Sequence, residues 1–162
     1  MTRKIVRSIV FAATLLVGFA AVARAQDDGI CSTAGMAGEW GYTSTGTLVV
    51  PTGSVPFALV GRLTLDTAGT FSGVQNSSTG WGQVGLETTK GTTAVNPDCT
   101  GTQNVSVYNQ SGDLLSTSVL AFVIVDHGRE VRMIFKSQTF NGTNVPTVAT
   151  LNAKRQFPTS GQ

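Results

Sequence analysis

The stretch FALVGRLTLDTAGT, residues 57–70, contains the pattern that decides the fold. Phe57, Leu59 and Leu63 alternate with more polar residues, as side chains do in a β-strand that has one buried face. The alternation ends at DTAG, whose Asp and Gly tolerate the positive φ angles of short hairpin loops. The stretch therefore predicts a strand and a tight turn into an antiparallel neighbour.

The same combination recurs along most of the chain. NVSVY at 104–108 and EVRMIFKSQ at 130–138 alternate similarly, and turn phrases such as NPDCTG and NQSGD separate the runs. Short turns join sequential antiparallel strands, and closing the sheet into a barrel removes its exposed edges. We predict an all-β fold, an eight-stranded antiparallel up-and-down barrel, with a two-sheet β-sandwich as the alternative. The predicted strands cover residues 38–50, 54–66, 70–77, 82–94, 102–109, 114–126, 130–140 and 145–157.

The chain begins with the features of a secretory signal peptide. A basic start and an apolar run are followed by the small-residue motif ARA at 23–25. The apolar run is shorter than a bilayer span requires, so we predict a secreted or periplasmic protein without a membrane span. The predicted organisation is a signal peptide at 1–25, an N-terminal arm at 26–37, a β-barrel domain at 38–157 and a C-terminal tail at 158–162.

The charge of the chain argues against a nucleic-acid partner. The sequence has 11 Lys and Arg against 9 Asp and Glu, but four of the basic residues lie in the predicted signal peptide, which leaves a net charge of −2. No Lys/Arg cluster remains that would follow a phosphate backbone. We therefore predict no binding of nucleic acid.

The two cysteines are predicted to form a disulfide. Export delivers the chain to an oxidising space, where two cysteines in a small domain usually pair. A bond between Cys31 and Cys99 would tie the N-terminal arm to a central turn and close a loop of about 70 residues, which stabilises the fold by about 3–4 kcal/mol.

Catalytic and metal-binding patterns are sparse. The only histidine, His127, lies in the turn phrase DHGR, so neither a metal set nor a His-based catalytic group is predicted. Glu39 and Glu87 lie within strands, where a buried carboxyl would suit acid catalysis, but the apolar residues beside them predict that both face outward. We predict no cofactor, no metal and no assigned catalytic residue.

One segment departs from strict alternation. In LLSTSVLAFVIVD both phases are apolar from Val119 to Val125, so one strand has an apolar outer face as well as an apolar inner face. Two explanations are open, cover by the N-terminal arm or an interface in a homo-oligomer. The interface candidates are Val119, Ala121, Val123 and Val125.

GEWGY at 38–42, together with Lys154 and Arg155, resembles the pattern of the lipocalin and calycin barrels. The resemblance implies that Trp40 plugs one barrel end and that Arg155 lies across its ring. Longer phrases, including VNPDCTGT and GREVRMIF, resemble a family of small secreted bacterial proteins without an assigned role. The general pattern is also similar to the allene oxide cyclase and dirigent barrels.

Three functions are compatible with such a barrel. The first is non-catalytic binding of a small apolar ligand in the lumen. The second is a cyclase or isomerase in which Tyr42 or Glu39 assists, and the third is a structural or envelope-surface protein that oligomerises. The predicted lumen residues are Trp40, Tyr42, Phe57, Leu59, Leu63, Val105, Val107, Phe135 and Leu151.

Overall fold

A computed structural model describes residues 29–156. The predicted signal peptide and C-terminal tail lie outside the described residues, as do residues 26–28 of the arm and position 157. Two short 3-10 helices, at Ala34–Met36 and Asp126–Gly128, accompany nine strands. The strands are β1 (Gly38–Val50), β2 (Gly53–Leu65), β3 (Thr70–Thr79), β4 (Gly82–Val95), β5 (Thr100–Tyr108), β6 (Leu114–Val125), β7 (Glu130–Phe140), β8 (Thr143–Asn144) and β9 (Thr147–Arg155).

The strands form a closed antiparallel barrel. Each of β1 to β7 pairs with the next strand in sequence, and β9 pairs with both β7 and β1, so that eight strands complete the circle. The two-residue strand β8 is an extra strand that pairs with β7. The predicted eight-stranded barrel is therefore confirmed, and the β-sandwich is not adopted. Within the described residues, no helix is long and apolar enough to span a membrane.

Alternation determines which side chains enter the barrel. In β2 the inward residues Phe57, Leu59, Leu63 and Leu65 are buried or half-buried, whereas the residues between them are exposed. This is the phase that the sequence predicts.

Bulges reverse the predicted phase in two strands. β4 carries one extra residue opposite Ser77 and Ser78, directly before Gly85, which has a φ of 95°. β7 carries one extra residue opposite the junction of Val119 and Leu120. A bulge inserts one residue and exchanges the two faces of the strand beyond it. The prediction that Glu87 faces outward is therefore wrong, because Glu87 is buried inside the barrel.

Three of the turns share one backbone conformation. They are DTAG at 66–69 between β2 and β3, NPDC at 96–99 between β4 and β5, and NQSG at 109–112 between β5 and β6. In each turn the first residue accepts a hydrogen bond from the fourth residue's N–H, and that fourth residue has a positive φ. The fourth residues are Gly69 at 90°, Cys99 at 66° and Gly112 at 88°. Cys99 thus occupies a backbone position that favours glycine.

The N-terminal arm closes one end of the barrel. Cys31 forms the predicted disulfide with Cys99, which is confirmed, and the hydroxyl of Thr33 accepts a hydrogen bond from the backbone N–H of Val95. Ile30 packs against the buried core, and Met36 is itself part of it. The described part of the arm therefore contacts the barrel end.

Candidate ligand-binding site

The barrel encloses a cavity of about 600 Å³. It extends from the core at the closed end to the opposite end, where residues of the strand connections, among them Trp81 and Asn141, contribute to its lining. Trp81 is 69% exposed and marks the mouth of the cavity. The lumen is thus accessible from one end of the barrel.

The structure brings eight of the nine predicted lumen residues together around this cavity. Phe57 on β2 and Phe135 on β7 both line the cavity, and their ring centroids lie 6.2 Å apart in an edge-to-face contact. Most of the remaining lining is aliphatic, which suits an apolar molecule. The predicted residues that line the cavity are Tyr42, Phe57, Leu59, Leu63, Val105, Val107, Phe135 and Leu151.

Trp40 does not line the cavity, because its side chain lies in the core at the closed end of the barrel. Its indole Nε1 donates a hydrogen bond to the carbonyl of Met36 at 2.9 Å, and its side chain is buried. The guanidinium carbon of Arg155 lies 4.8 Å from the centre of the indole ring, and this side chain donates to the carbonyls of Gly35 and Ala37, each at 2.7 Å. Trp40 and Arg155 are in contact, as the resemblance to the lipocalin and calycin barrels implies. Arg155 therefore joins the last strand, the arm and the core.

A polar row crosses four strands inside the lumen. Tyr42, Gly61, Gln75 and Glu87 are successive cross-strand partners on β1 to β4. The Tyr42 hydroxyl donates to Gln75 Oε1 at 3.1 Å, and Gln75 Nε2 donates to Glu87 Oε2 at 2.7 Å. Gly61 has no side chain, so the tyrosine reaches across β2 to the glutamine. The row is therefore a continuous hydrogen-bond chain that ends at a carboxylate.

Neither Gln75 nor Glu87 was among the predicted lumen residues. The bulge before Gly85 sets the phase of Glu87, and it also leaves Leu86 47% exposed on the outside. The sequence contains one cue, because a glycine within a strand pattern often marks a bulge.

Thr89 lies two residues beyond Glu87 on the same face of β4. Its side chain lines the cavity and is 1% exposed, and its hydroxyl has no hydrogen-bond partner among the described residues. Buried hydroxyls are rarely left unpaired, since each lost hydrogen bond is unfavourable. The Thr89 oxygen has almost no accessible surface, so this hydroxyl belongs to the lumen wall beside Tyr42.

Burial also affects the acidity of the row. It raises the pKa of Tyr42 to about 12, with the negative charge of Glu87 adding to the increase and the Thr89 hydroxyl opposing it. At neutral pH Tyr42 is therefore a neutral hydrogen-bond donor.

The other residues singled out in the sequence lie away from the lumen. Glu39 is exposed on the outside of β1, as predicted, and His127 is exposed in the turn between β6 and β7. The four interface candidates on β6 face outward, and Val123 is 40% exposed. An oligomer interface there stays a prediction.

Comparisons with known proteins agree with a β-barrel. No protein-family model and no curated protein matches the sequence. A de novo designed transmembrane β-barrel superposes with a TM-score of 0.55 at 15% identity, over 73% of this chain and 94% of that chain. The structure of EF1p2_mFAP2b bound to DFHBI covers 78% and 99% at 14% identity and a TM-score of 0.49. The S-type phycobiliprotein lyase CPES from Guillardia theta covers 80% and 96% at 9% identity and a TM-score of 0.46.

These similarities concern the backbone fold. The fold and the cavity together define a class of protein, a small closed antiparallel β-barrel with an accessible lumen. The disulfide between Cys31 and Cys99 is consistent with an oxidising extracellular or periplasmic location. Secretion itself stays a prediction.

Proposed function

We propose that this protein binds a small, mainly apolar molecule in its lumen without transforming it. The observation that carries the proposal is the cavity of about 600 Å³, which reaches the barrel end and is lined mainly by aliphatic and aromatic side chains. Ligand pockets typically have volumes of roughly 300–1,000 Å³ and combine an apolar lining with a few polar groups. An exported binder of this kind would take up its ligand outside the cytoplasm.

The barrel retains this space because several inward positions lack side chains. Eight strands enclose an interior that side chains can fill, so a cavity requires small residues at some inward positions. Gly61, Gly91 and Gly101 are such positions, and each lies beside the ring of an aromatic neighbour that would collide with a Cβ there. The rings of Tyr42 and Phe71, beside Gly61 and Gly91, line the cavity, whereas the ring of Phe122, beside Gly101, belongs to the buried core.

The test uses the uncharged fluorophore N-phenyl-1-naphthylamine and the oxidised protein. We expect saturable fluorescence enhancement in the wild type and its loss in Leu59→Trp, which fills the lumen. Val60→Trp is the matched control, because the adjacent residue is 57% exposed on the outside of the same strand. Enhancement that is absent from the wild type, or unchanged in Leu59→Trp, would contradict binding in the lumen.

A cyclase or isomerase is the second candidate function. The observation in its favour is the hydrogen-bond chain from Tyr42 to Glu87, which places a proton donor and a carboxylate inside an apolar chamber. To distinguish passive binding from catalysis, a compound bound to the purified protein is extracted and identified. Its turnover is then measured with the wild type and with Tyr42→Phe. Turnover that Tyr42→Phe abolishes without loss of binding would favour the enzyme.

A further inference from the structure

The lumen contains a negative charge without a positive partner. Glu87 is the only ionisable acid or base among the cavity-lining side chains, apart from the phenol of Tyr42. It is 7% exposed, and none of the ion pairs formed by the described residues includes it. Lys90, the basic residue on β4, and Arg62, two strands away on β2, are exposed on the outer face, and neither β3 nor β5 contains a basic residue. A buried carboxylate is unfavourable unless a cation or hydrogen-bond donors compensate it.

The hydrogen bonds of the polar row leave acceptors facing the cavity. Gln75 donates to Oε2 of Glu87, while Oε1 has no hydrogen-bond partner among the described residues. The hydroxyl of Thr89, on the same face of β4, has almost no accessible surface and belongs to the lumen wall. The second oxygen of Glu87 is therefore the acceptor available to a group that brings donors.

From this arrangement we propose that the ligand is an apolar amine, whose protonated nitrogen binds Glu87 while its hydrocarbon body fills the lumen. This inference rests on the proposed function and specifies its ligand class. An ammonium group has a positive charge and up to three donors, which matches the carboxylate oxygen that Gln75 leaves unpaired. A carboxylic acid of the same shape would be repelled by Glu87.

The aliphatic and aromatic lining suits the remainder of such a ligand. Val105, Val107 and Leu59 line the cavity, and Phe57 and Phe135 lie toward its mouth. Binding in this orientation places the charged end beside Glu87 and the apolar body against the aliphatic and aromatic lining. The attraction between the ammonium group and the Glu87 carboxylate is stronger in this apolar lumen than it would be in water.

Three probes of matched shape test the inference by calorimetry. They are 1-naphthylmethylamine, 1-naphthalenemethanol and 1-naphthoate, which share the aromatic body and differ in the charge of the polar group. We expect the amine to bind the wild type at least about tenfold more tightly than the alcohol, and the naphthoate to bind most weakly. Glu87→Gln should remove the preference for the amine and leave the affinity for the alcohol within about threefold.

Two further variants make the result specific. Glu39→Gln removes an exposed carboxylate from the outside of β1 and should leave all three affinities unchanged. Glu87→Met keeps the length of the side chain and removes the carboxylate, so it should remove the preference for the amine as Glu87→Gln does. It tests the inference if Glu87→Gln fails to fold.

The outcomes separate this inference from the proposed function. Equal affinity of the wild type for the amine and the alcohol, or unchanged amine binding in Glu87→Gln and Glu87→Met, would overturn the amine as ligand while lumen binding stands. If neither the three probes nor N-phenyl-1-naphthylamine binds, the proposed function itself fails. If Leu59→Trp retains the amine, the amine binds elsewhere and the inference is also overturned.

Discussion

The ring of Tyr42 occupies the space that a side chain at Gly61 would need. The two residues are cross-strand partners, and a Cβ at Gly61 would lie 2.5 Å from Cζ and 2.6 Å from the hydroxyl oxygen of Tyr42. The glycine therefore has a specific role, because it is the gap through which the tyrosine contacts Gln75. An aromatic ring packed over an inward glycine also allows a strongly curved sheet.

Gly61→Ala should destabilise the protein and disrupt the polar row. Because the added methyl group collides with the buried tyrosine, we expect a loss of about 1–3 kcal/mol in the free energy of unfolding, measured by urea denaturation. The control is the same substitution in a Tyr42→Ala background, where the ring is absent and the loss should be smaller; the remaining loss comes from the backbone carbonyl oxygen of Val74, 2.7 Å from the added Cβ. Equal losses in the two backgrounds would show that the ring does not occupy this gap.

Stability should decrease in alkaline solution because of Tyr42. Its folded-state pKa of about 12 exceeds the ordinary value of 10.0, so the unfolded chain loses this proton first. The contribution of the protonated Tyr42 phenol to the free energy of unfolding is complete below about pH 10. It is lost as the pH rises toward 12, which lowers stability by roughly 2–3 kcal/mol. Urea denaturation at several pH values measures it. Tyr42→Phe retains Tyr108 and should lack this part of the decrease.

Once the disulfide is removed, position 99 should tolerate glycine better than serine. The double variant Cys31→Ser/Cys99→Ser should lose about 3–4 kcal/mol of stability, because the loop of 68 residues is no longer closed. Cys31→Ser/Cys99→Gly removes the same bond but suits the φ of 66°, and we expect it to be about 1 kcal/mol more stable. The difference between their urea midpoints measures this; a serine variant of equal or greater stability would contradict the turn assignment.

Arg155→Ala should weaken the closed end of the barrel. The substitution removes two charge-assisted hydrogen bonds to the arm and the contact with Trp40, and we expect a loss of about 2–4 kcal/mol by thermal or urea denaturation. Lys154→Ala is the matched control, because that side chain is 78% exposed and its removal should change stability by less than about 0.5 kcal/mol. Arg155→Lys should fall between them, since one ammonium cannot reproduce the planar fork.

Alternation and turn residues were sufficient to predict the architecture. The predicted strand at 114–126 and the observed β6, Leu114–Val125, differ by a single residue, because short turns fix strand ends on both sides. Eight lumen residues followed from the same alternation. The inward position of Glu87 did not, because a bulge exchanges the faces of a strand without changing its composition. Gln138 shows the same effect on β7, where it is buried although alternation from Phe135 would place Ser137 inward.

The plugged end also has a kinetic consequence. Because the arm and Trp40 close one end of the barrel, the lumen is a dead end, and a molecule must leave by the route through which it entered. A change confined to the entrance therefore alters the rates of entry and exit by the same factor and leaves the equilibrium affinity unchanged. Trp81, at that entrance, is the side chain most suited to act as such a rate-setting element.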